Sequence, residues 1–228
     1  MEAKILVTVQ EYTVKNPITL IGYEAGICYN SDISDDIKNY KRGIDCIKSE
    51  HGRTLEFPQV YLTIDGYSAR CIRELYTHIG GMPTRLQEST RYITYDDFNY
   101  FIPQKIKSNE VALYKYMEIM DNITRTYEEL LNLGIAKEDA ANILPLGMNS
   151  KIVIRTNLRH LIDMMSTRQC NRAYIEIRNL MREIKLALRE YSDEWKELVD
   201  NYMPCKCDEN KYCKEKKSCG KYPRREDV

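Results

Sequence analysis

The order of apolar and polar positions predicts three strands separated by helices. Residues 4–13, "KILVTVQEYT", alternate apolar with polar side chains and are rich in β-branched residues, which is typical of a strand. The segments 59–67 and 151–157 are also predicted to be strands. Helical spacing, with its capping residues, predicts helices at 16–29, 31–52, 68–79, 109–133, 134–145, 158–170 and 172–195.

The longest helical pattern, 109–133, carries one apolar stripe that is typical of a core helix. Strands and helices are interspersed without a regular βαβ repeat, a glycine-rich dinucleotide fingerprint or a P-loop. We therefore expect a single α+β domain over residues 1–203. A tail rich in cysteine and lysine, residues 204–228, is expected to follow it.

The polar side chains after Gly80-Gly81 recur at every second position. The glycines and Pro83 stop a helix, so the chain that follows is expected to be extended, with alternate side chains on one side. The side chains expected to share one side are Arg85, Gln87, Ser89 and Arg91. Arginine forks, a hydroxyl and an amide suit a nucleotide monophosphate. An exposed polar edge strand explains the same pattern.

Four of the eight cysteines lie close together in the tail: Cys205, Cys207, Cys213 and Cys219. Thiolates are good zinc ligands, although this spacing is not that of a standard zinc ribbon. A structural zinc ion, a disulfide pair and a reduced mobile tail all stay open as interpretations. The remaining cysteines, at 28, 46, 71 and 170, are expected to be buried.

Charge and hydropathy narrow the classes of partner. Thirty-four basic residues balance 34 acidic ones, so no net field favours nucleic acid or an anionic membrane. No apolar run reaches the roughly 18 residues that span a bilayer, and the acidic, strand-like N-terminus argues against a signal peptide. We expect a cytoplasmic protein, in which any bound anion is held by a local site.

The segment "THIGGMPTRLQESTRY" resembles the signature of the flavin-dependent thymidylate synthases. That signature has R-H-R, a spacer and a serine, with R-Y closing it; Ser89-Thr90-Arg91-Tyr92 matches the closing part. His78 matches the central histidine if Gly80-Gly81 is an insertion. The opening of the segment looks like a variant subgroup of that family.

Two further segments are similar to the same family, in the same order along the chain. Upstream, "HGRTLEF" (51–57) resembles its H-x-T/S-x-x-E-H segment. Downstream, Asn157 and Arg159 match its N-x-R pair, and Arg168 matches an arginine before a long helix. The likeness thus covers roughly residues 5 to 200, and it implies a mixed or antiparallel sheet packed against long helices.

The resemblance implies an FAD-dependent enzyme that methylates dUMP to dTMP. Methylenetetrahydrofolate would supply the carbon, NADPH the reducing equivalents, and a homotetramer would share its active sites between subunits. Arg168 would be the catalytic group beside the uracil. The other residues expected to bind substrate are Arg85, Gln87, Glu88, Ser89, Thr90 and Arg91. Those expected to bind the cofactor are Arg53, His78, Ile79, Asn157, Arg159 and Asp163.

Several positions depart from the family pattern. Thr77 and Ile79 replace the two arginines of R-H-R, and Ala141 replaces a phosphate-binding arginine before the L-P pair. We expect Arg85 to compensate for a missing phosphate contact. The departures keep two other functions open: flavin-dependent modification of dUMP or another pyrimidine nucleotide, for example hydroxymethylation, and nucleotide binding without catalysis.

Overall fold

A computed structural model describes residues 5–78, 80 and 83–228. Within them, the strands β1 to β4 form one sheet in the order β1-β2-β4-β3. Their bounds are β1 Leu6–Val9, β2 Gln59–Ser68, β3 Thr84–Gln87 and β4 Asn149–Asn157. β2 and β4 are antiparallel, because Ala69 N donates to Met148 O beyond one end and Leu158 N donates to Pro58 O beyond the other. The α+β class and the antiparallel sheet are as predicted.

The helices mostly follow the predicted pattern. They are α1 Pro17–Cys28, α2 Asp36–Lys48, α3 Ala69–Tyr76, α4 Gln104–Lys107, α5 Glu110–Asn132, α6 Lys137–Ala140, α7 Leu158–Arg168, α8 Ile175–Tyr191, α9 Asp193–Asn201 and α10 Lys206–Asn210. Short 3-10 turns occupy Thr54–Glu56, Ala141–Ile143 and Arg225–Asp227.

The chain folds as two compact units. One contains the described residues up to Leu6, 64–77 and 85–153, and the other contains 7–63, the described part of 78–84, and 154–228. In the first unit the predicted stripe of α5 is its buried face, with Met120 and Tyr127 packed against Tyr95 and Phe98. The Asn109 side chain caps α5 by accepting a hydrogen bond from Ala112 N at 3.0 Å.

In the second unit, α1 and α2 pack at backbone distance. A Cβ added to Gly22 would lie 1.7 Å from Asn39 O, and one added to Gly43 would lie 2.0 Å from Ile18 O. Only glycine permits that approach. The start of α1 is satisfied from α9, where the Glu194 carboxylate accepts from Ile18 N at 2.7 Å.

Several predicted boundaries were wrong, including those of the helix predicted at 31–52, which spans Asp36–Lys48, and of the helix predicted at 134–145, which spans Lys137–Ala140. β1 spans Leu6–Val9 rather than 4–13, and α3 ends at Tyr76, before the glycines. The last predicted helix is two helices, because Ser192 is extended (φ −160°, ψ 163°) and caps α9. Its Oγ accepts from Trp195 N at 3.3 Å, while the Trp195 ring is fully buried. No helix among the described residues is long and apolar enough to cross a membrane.

Candidate functional site

The start of α7 is organised by the motif residue Asn157, which lies three positions before His160. Asn157 is buried and lies at the end of β4, where its Oδ1 accepts a hydrogen bond from His160 N at 2.9 Å. This is an N-cap, which satisfies an amide that the helix itself leaves without a partner. The strand-to-helix junction therefore has a fixed geometry, and α7 leaves it in a defined direction.

The predicted catalytic arginine and the predicted flavin-binding histidine lie in direct contact. Arg168, the last residue of α7, donates from Nε to Nε2 of His78 at 2.6 Å. The His78 ring also packs edge-on against the buried His160, with ring centroids 6.0 Å apart and planes at 64°. The His160 ring positions the His78 ring, and the hydrogen bond from Arg168 to His78 then fixes the plane of the Arg168 guanidinium.

Gly80 lies against this cluster. A Cβ added there would lie 3.2 Å from Nδ1 of His160, which is tighter than ordinary contact. The glycine thus lets the backbone after His78 pass close to the second imidazole. Ile79, also predicted to bind the cofactor, lies outside the described residues.

Arg159 points to a different partner. Its Nη1 forms an ion pair with Glu56 Oε1 at 2.6 Å, and a Cβ on Gly52 would lie 3.0 Å from its Cζ. The "HGRTLEF" segment and the N-x-R pair therefore meet, as their common place in one family motif set predicts. Arg53 and Asp163 are exposed, and neither forms an ion pair within the part of the chain that the structure describes.

The predicted alternation after Pro83 is correct only for its first half. In β3 the side chains of Arg85 and Gln87 are half-buried, while those of Thr84 and Leu86 are exposed. After Gln87 the chain turns, and Ser89 O accepts from both Tyr92 N and Ile93 N. Ser89 and Arg91 therefore do not continue the strand, and the prediction that all four side chains share one face was wrong.

The two half-buried polar residues of β3, Arg85 and Gln87, have identified partners. Arg85 donates to Leu75 O at 3.0 Å and its guanidinium lies 4.4 Å from the Tyr76 ring centroid. Gln87 donates to Ser150 Oγ at 3.1 Å. These contacts hold the Arg85 and Gln87 side chains in defined positions, so β3 carries two ordered hydrogen-bond donors.

The turn itself is closed by charge and hydroxyl contacts. Arg91 Nε pairs with Glu138 Oε2 at 2.7 Å, and both side chains are more than half exposed. Arg91 N also donates to Ser89 Oγ at 3.3 Å. Glu88 accepts from Lys151 N at 2.9 Å, which ties the segment to β4, and Thr90 is half-buried in the turn. An exposed ion pair of this kind contributes little to stability, so Arg91 is held only weakly by Glu138.

Sequence reasoning missed two residues that contact predicted site residues. His160 contacts His78, and Glu138 holds Arg91. His160 had a readable signal, since it is one of only three histidines and directly follows Arg159. Glu138 had none, because its partner lies 47 residues away.

The tail cysteines do not support the predicted zinc site. Among the residues that the structure describes, no three His, Cys, Asp or Glu side chains come close enough to hold a metal ion. The sulfur atoms of Cys205 and Cys207 lie 3.6 Å apart. Five of the residues that line a cavity of about 120 Å³ are cysteines: Cys170, Cys205, Cys207, Cys213 and Cys219. Of the cysteines predicted to be buried, Cys46 and Cys71 are buried, whereas Cys170 is half-buried and Cys28 is exposed.

The fold of the chain is shared with that of a solved protein structure. The structure is similar to that of a UMP/dUMP methylase, PolB from Streptomyces cacaoi, solved with 5-Br dUMP. The TM-score is 0.72 and the alignment covers 90% of this chain and 98% of that one. At 16% identity, the likeness shows a common fold.

The sequence comparisons define the family more narrowly. The model of the thymidylate synthase complementing proteins, Thy1, matches residues 8–192. The flavin-dependent thymidylate synthase of Pyrococcus abyssi is 32% identical over 77% of this chain and 75% of its own length. That of Nitratidesulfovibrio vulgaris is 29% identical over 86% of this chain and 83% of its own length. The chain belongs to this family of enzymes, and the resemblance read from the motifs is confirmed.

Proposed function

We propose that the protein methylates dUMP to dTMP with FAD, taking the carbon from methylenetetrahydrofolate and the reducing equivalents from NADPH. The observation that carries the proposal is the contact between Arg168 and His78, two matched motif residues 90 positions apart. Two signature residues that meet in space are better support for a working site than either motif alone.

Arg168 has the catalytic role in this proposal. A fixed guanidinium beside N3 and O2 of the uracil stabilises the negative charge that develops as C5 becomes nucleophilic. The hydrogen bond from Nε to His78 orients the guanidinium before substrate arrives, so little reorganisation is needed during the reaction.

The turn after β3 has the role of binding the nucleotide phosphate. Ser89 and Arg91 supply a hydroxyl and an exposed guanidinium, and the backbone of 87–90 supplies N–H groups. The remaining substrate-binding residues of the proposal are Arg85, Gln87, Glu88 and Thr90. We propose that different copies of the chain complete each active site in a homotetramer.

The donor groups around α7 fit a flavin dinucleotide. Arg53 and Arg159 are exposed cations of the kind that bind a diphosphate, and His78 offers a flat polar ring. When bound, FAD supplies the hydride for the transfer. The residues that would hold it are Arg53, His78, Ile79, Asn157, Arg159 and Asp163. The cytoplasmic location and the domain boundary at 203 stay predictions.

The test is a product assay with the purified chain. We expect a yellow protein that converts dUMP to dTMP in the presence of methylenetetrahydrofolate and NADPH and that rescues a thymidine auxotroph. Arg168→Ala should lower kcat/KM by about a hundredfold or more, since it removes charge stabilisation from the reaction. Arg225→Ala, which removes an exposed arginine of the tail, is the matched control and should keep the activity. A colourless protein, or an active Arg168→Ala variant, contradicts the proposal.

A second candidate is a different flavin-dependent change to a pyrimidine nucleotide, such as hydroxymethylation. Two observations favour it: Thr77 stands where the family has an arginine, and the structural neighbour is a UMP/dUMP methylase. Mass spectrometry of the product from dUMP and from UMP separates the candidates. A product heavier than dTMP by one oxygen, or turnover of UMP alone, would select this second function.

A further inference from the structure

A cleft along helix α8 is lined mainly by cations. Four basic side chains, spaced so that they share one side of the helix, line a space of about 380 Å³ together with a single carboxylate, Asp200. The basic side chains are Arg178, Arg182, Lys185 and Arg189. The whole chain has no net charge, so this excess is local.

Two of the four cations, Arg178 and Lys185, lack a carboxylate partner among the described residues. Arg178 donates from Nη1 to Asn171 Oδ1 at 3.2 Å. Arg189 pairs with Asp200 at 3.2 Å, and Arg182 Nε lies 3.4 Å from Glu183 Oε1. Lys185, by contrast, donates only to neutral oxygens, Met203 O at 3.1 Å and Gln169 Oε1 at 3.4 Å.

Burial raises the free-energy cost of the uncompensated positive charge in the cleft. Loss of solvent around Lys185 lowers the pKa of its ammonium, because a half-buried cation is stabilised less by neutral oxygens than by water. The Nε atom of Arg178 is buried and has no hydrogen-bond partner in the part of the chain that the structure describes. An anion in the cleft would compensate the positive charge of Lys185 and would offer a hydrogen-bond acceptor to Arg178 Nε.

The size and chemistry of the cleft narrow the ligand. Three guanidinium groups favour a ligand with several oxygen atoms on one centre, since a guanidinium binds phosphate bidentately. A volume of about 380 Å³ suits a small molecule. Leu186, which is 45% exposed, adds an apolar wall on the same side of the helix.

We propose that the α8 cleft binds a phosphate-bearing small molecule, such as a diphosphate or the phosphate of a nucleotide. This site is additional to the proposed roles of Arg168 and of the turn after β3, and it does not depend on the reaction that the protein catalyses. Arg178, Arg182 and Lys185 supply the donors, and Arg189 closes the cleft on Asp200.

The proposal is tested by titrating the full chain with inorganic pyrophosphate in a calorimeter at constant ionic strength. The wild type is expected to bind saturably. Arg182→Gln changes an exposed side chain that the fold does not need, and it should weaken binding about tenfold or more, as should Lys185→Met. Lys196→Met on α9 lies outside the cleft and should bind like the wild type.

A further variant separates this site from the substrate site. If Arg91→Ala abolished pyrophosphate binding while Arg182→Gln left it unchanged, the anion would be at the nucleotide-binding turn and the proposal would be wrong. Absence of saturable binding by the wild type would also overturn it. Displacement of pyrophosphate by NADPH but not by NADH would assign the site to the cosubstrate's extra phosphate; displacement by neither would assign it to free phosphate compounds.

Discussion

At the scale of single residues, loss of solvent and a neighbouring thiol act together on Cys207. Loss of solvent raises the pKa of Cys207 to about 11, and the neighbouring Cys205 adds to the shift. Cys28 and Cys219 are exposed. Because only the thiolate attacks an alkylating agent, the raised pKa slows modification of Cys207 at pH 8.

We therefore expect iodoacetamide at pH 8 to modify Cys28 and Cys219 well before Cys207. Modification of Cys207 should accelerate as the pH rises towards 11, since its raised pKa keeps the thiol protonated below that value. Peptide mass spectrometry over a time course measures each site. Equal rates at Cys207 and Cys28 would contradict the prediction.

Two arginines of one segment test the proposed compensation for missing phosphate contacts. Arg91 is exposed and pairs with the exposed Glu138, so Arg91→Ala should weaken dUMP affinity by about tenfold to a hundredfold with little change in stability. Arg85→Ala should also weaken it, by about tenfold, if Arg85 reaches the phosphate.

Because Arg85 also holds Leu75 O, the affinity is compared with the melting temperature of the same variant. Equilibrium binding of dUMP by calorimetry provides the measurement. If Arg85→Ala bound dUMP as tightly as the wild type while Arg91→Ala did not, Arg85 would have only its structural role on Tyr76 and Leu75.

The residues of the candidate site were readable from the sequence where a local motif carried them. Asn157, Arg159 and Arg168 lie within one stretch of chain, and the resemblance of that stretch to a family motif suggested a common role. The partners of these residues were not readable, because Glu56 lies 103 positions from Arg159 and His78 lies 90 from Arg168. Side-chain pairing across such separations depends on the tertiary fold.

At the scale of elements, the close packing of α1 on α2 depends on glycine. Gly43→Ala should lower the free energy of unfolding by about 3 kcal/mol or more, because the new methyl group would meet Ile18 O, a backbone atom that cannot rotate away. Lys41→Ala, an exposed change on the same helix, should stay within about 0.5 kcal/mol of the wild type.

Urea unfolding followed by circular dichroism compares the two variants. The control also absorbs the general effect of adding alanine, which favours helix formation at both positions. An unfolding midpoint for Gly43→Ala equal to that of Lys41→Ala would contradict the close packing of α1 on α2. It would show that the two helices can move apart without loss of stability.

Elements with a strong period were predicted well, and elements defined by a single junction were not. The apolar stripe of α5 needed no tertiary information, since its period alone identifies the buried face. Ser192 breaks the α8–α9 pattern although the apolar spacing runs on through it, because its hydroxyl caps a new helix. The turn at Ser89 likewise ends an alternation that the sequence continues to Arg91.

At the scale of the whole molecule, the expected homotetramer has a candidate contact surface on α5. Val111, Tyr114 and Met117 follow one another at every third position and are 67%, 68% and 43% exposed. Exposed apolar side chains at helical spacing are typical of surfaces that pack against another helix. A second copy of the chain is the occupant that the family resemblance implies.

We predict that light scattering after size exclusion gives a mass about four times the 26.9 kDa of one chain. Tyr114→Glu should shift the mass towards smaller species, because a carboxylate buried in an interface without a partner is costly. Lys115→Glu changes the adjacent exposed position and should leave the mass unchanged. Since the proposed active site needs more than one copy, Tyr114→Glu should lose dTMP synthesis in parallel with its mass. A tetrameric Tyr114→Glu variant would exclude this face of α5 from the assembly, and a monomeric, fully active wild type would exclude shared sites altogether.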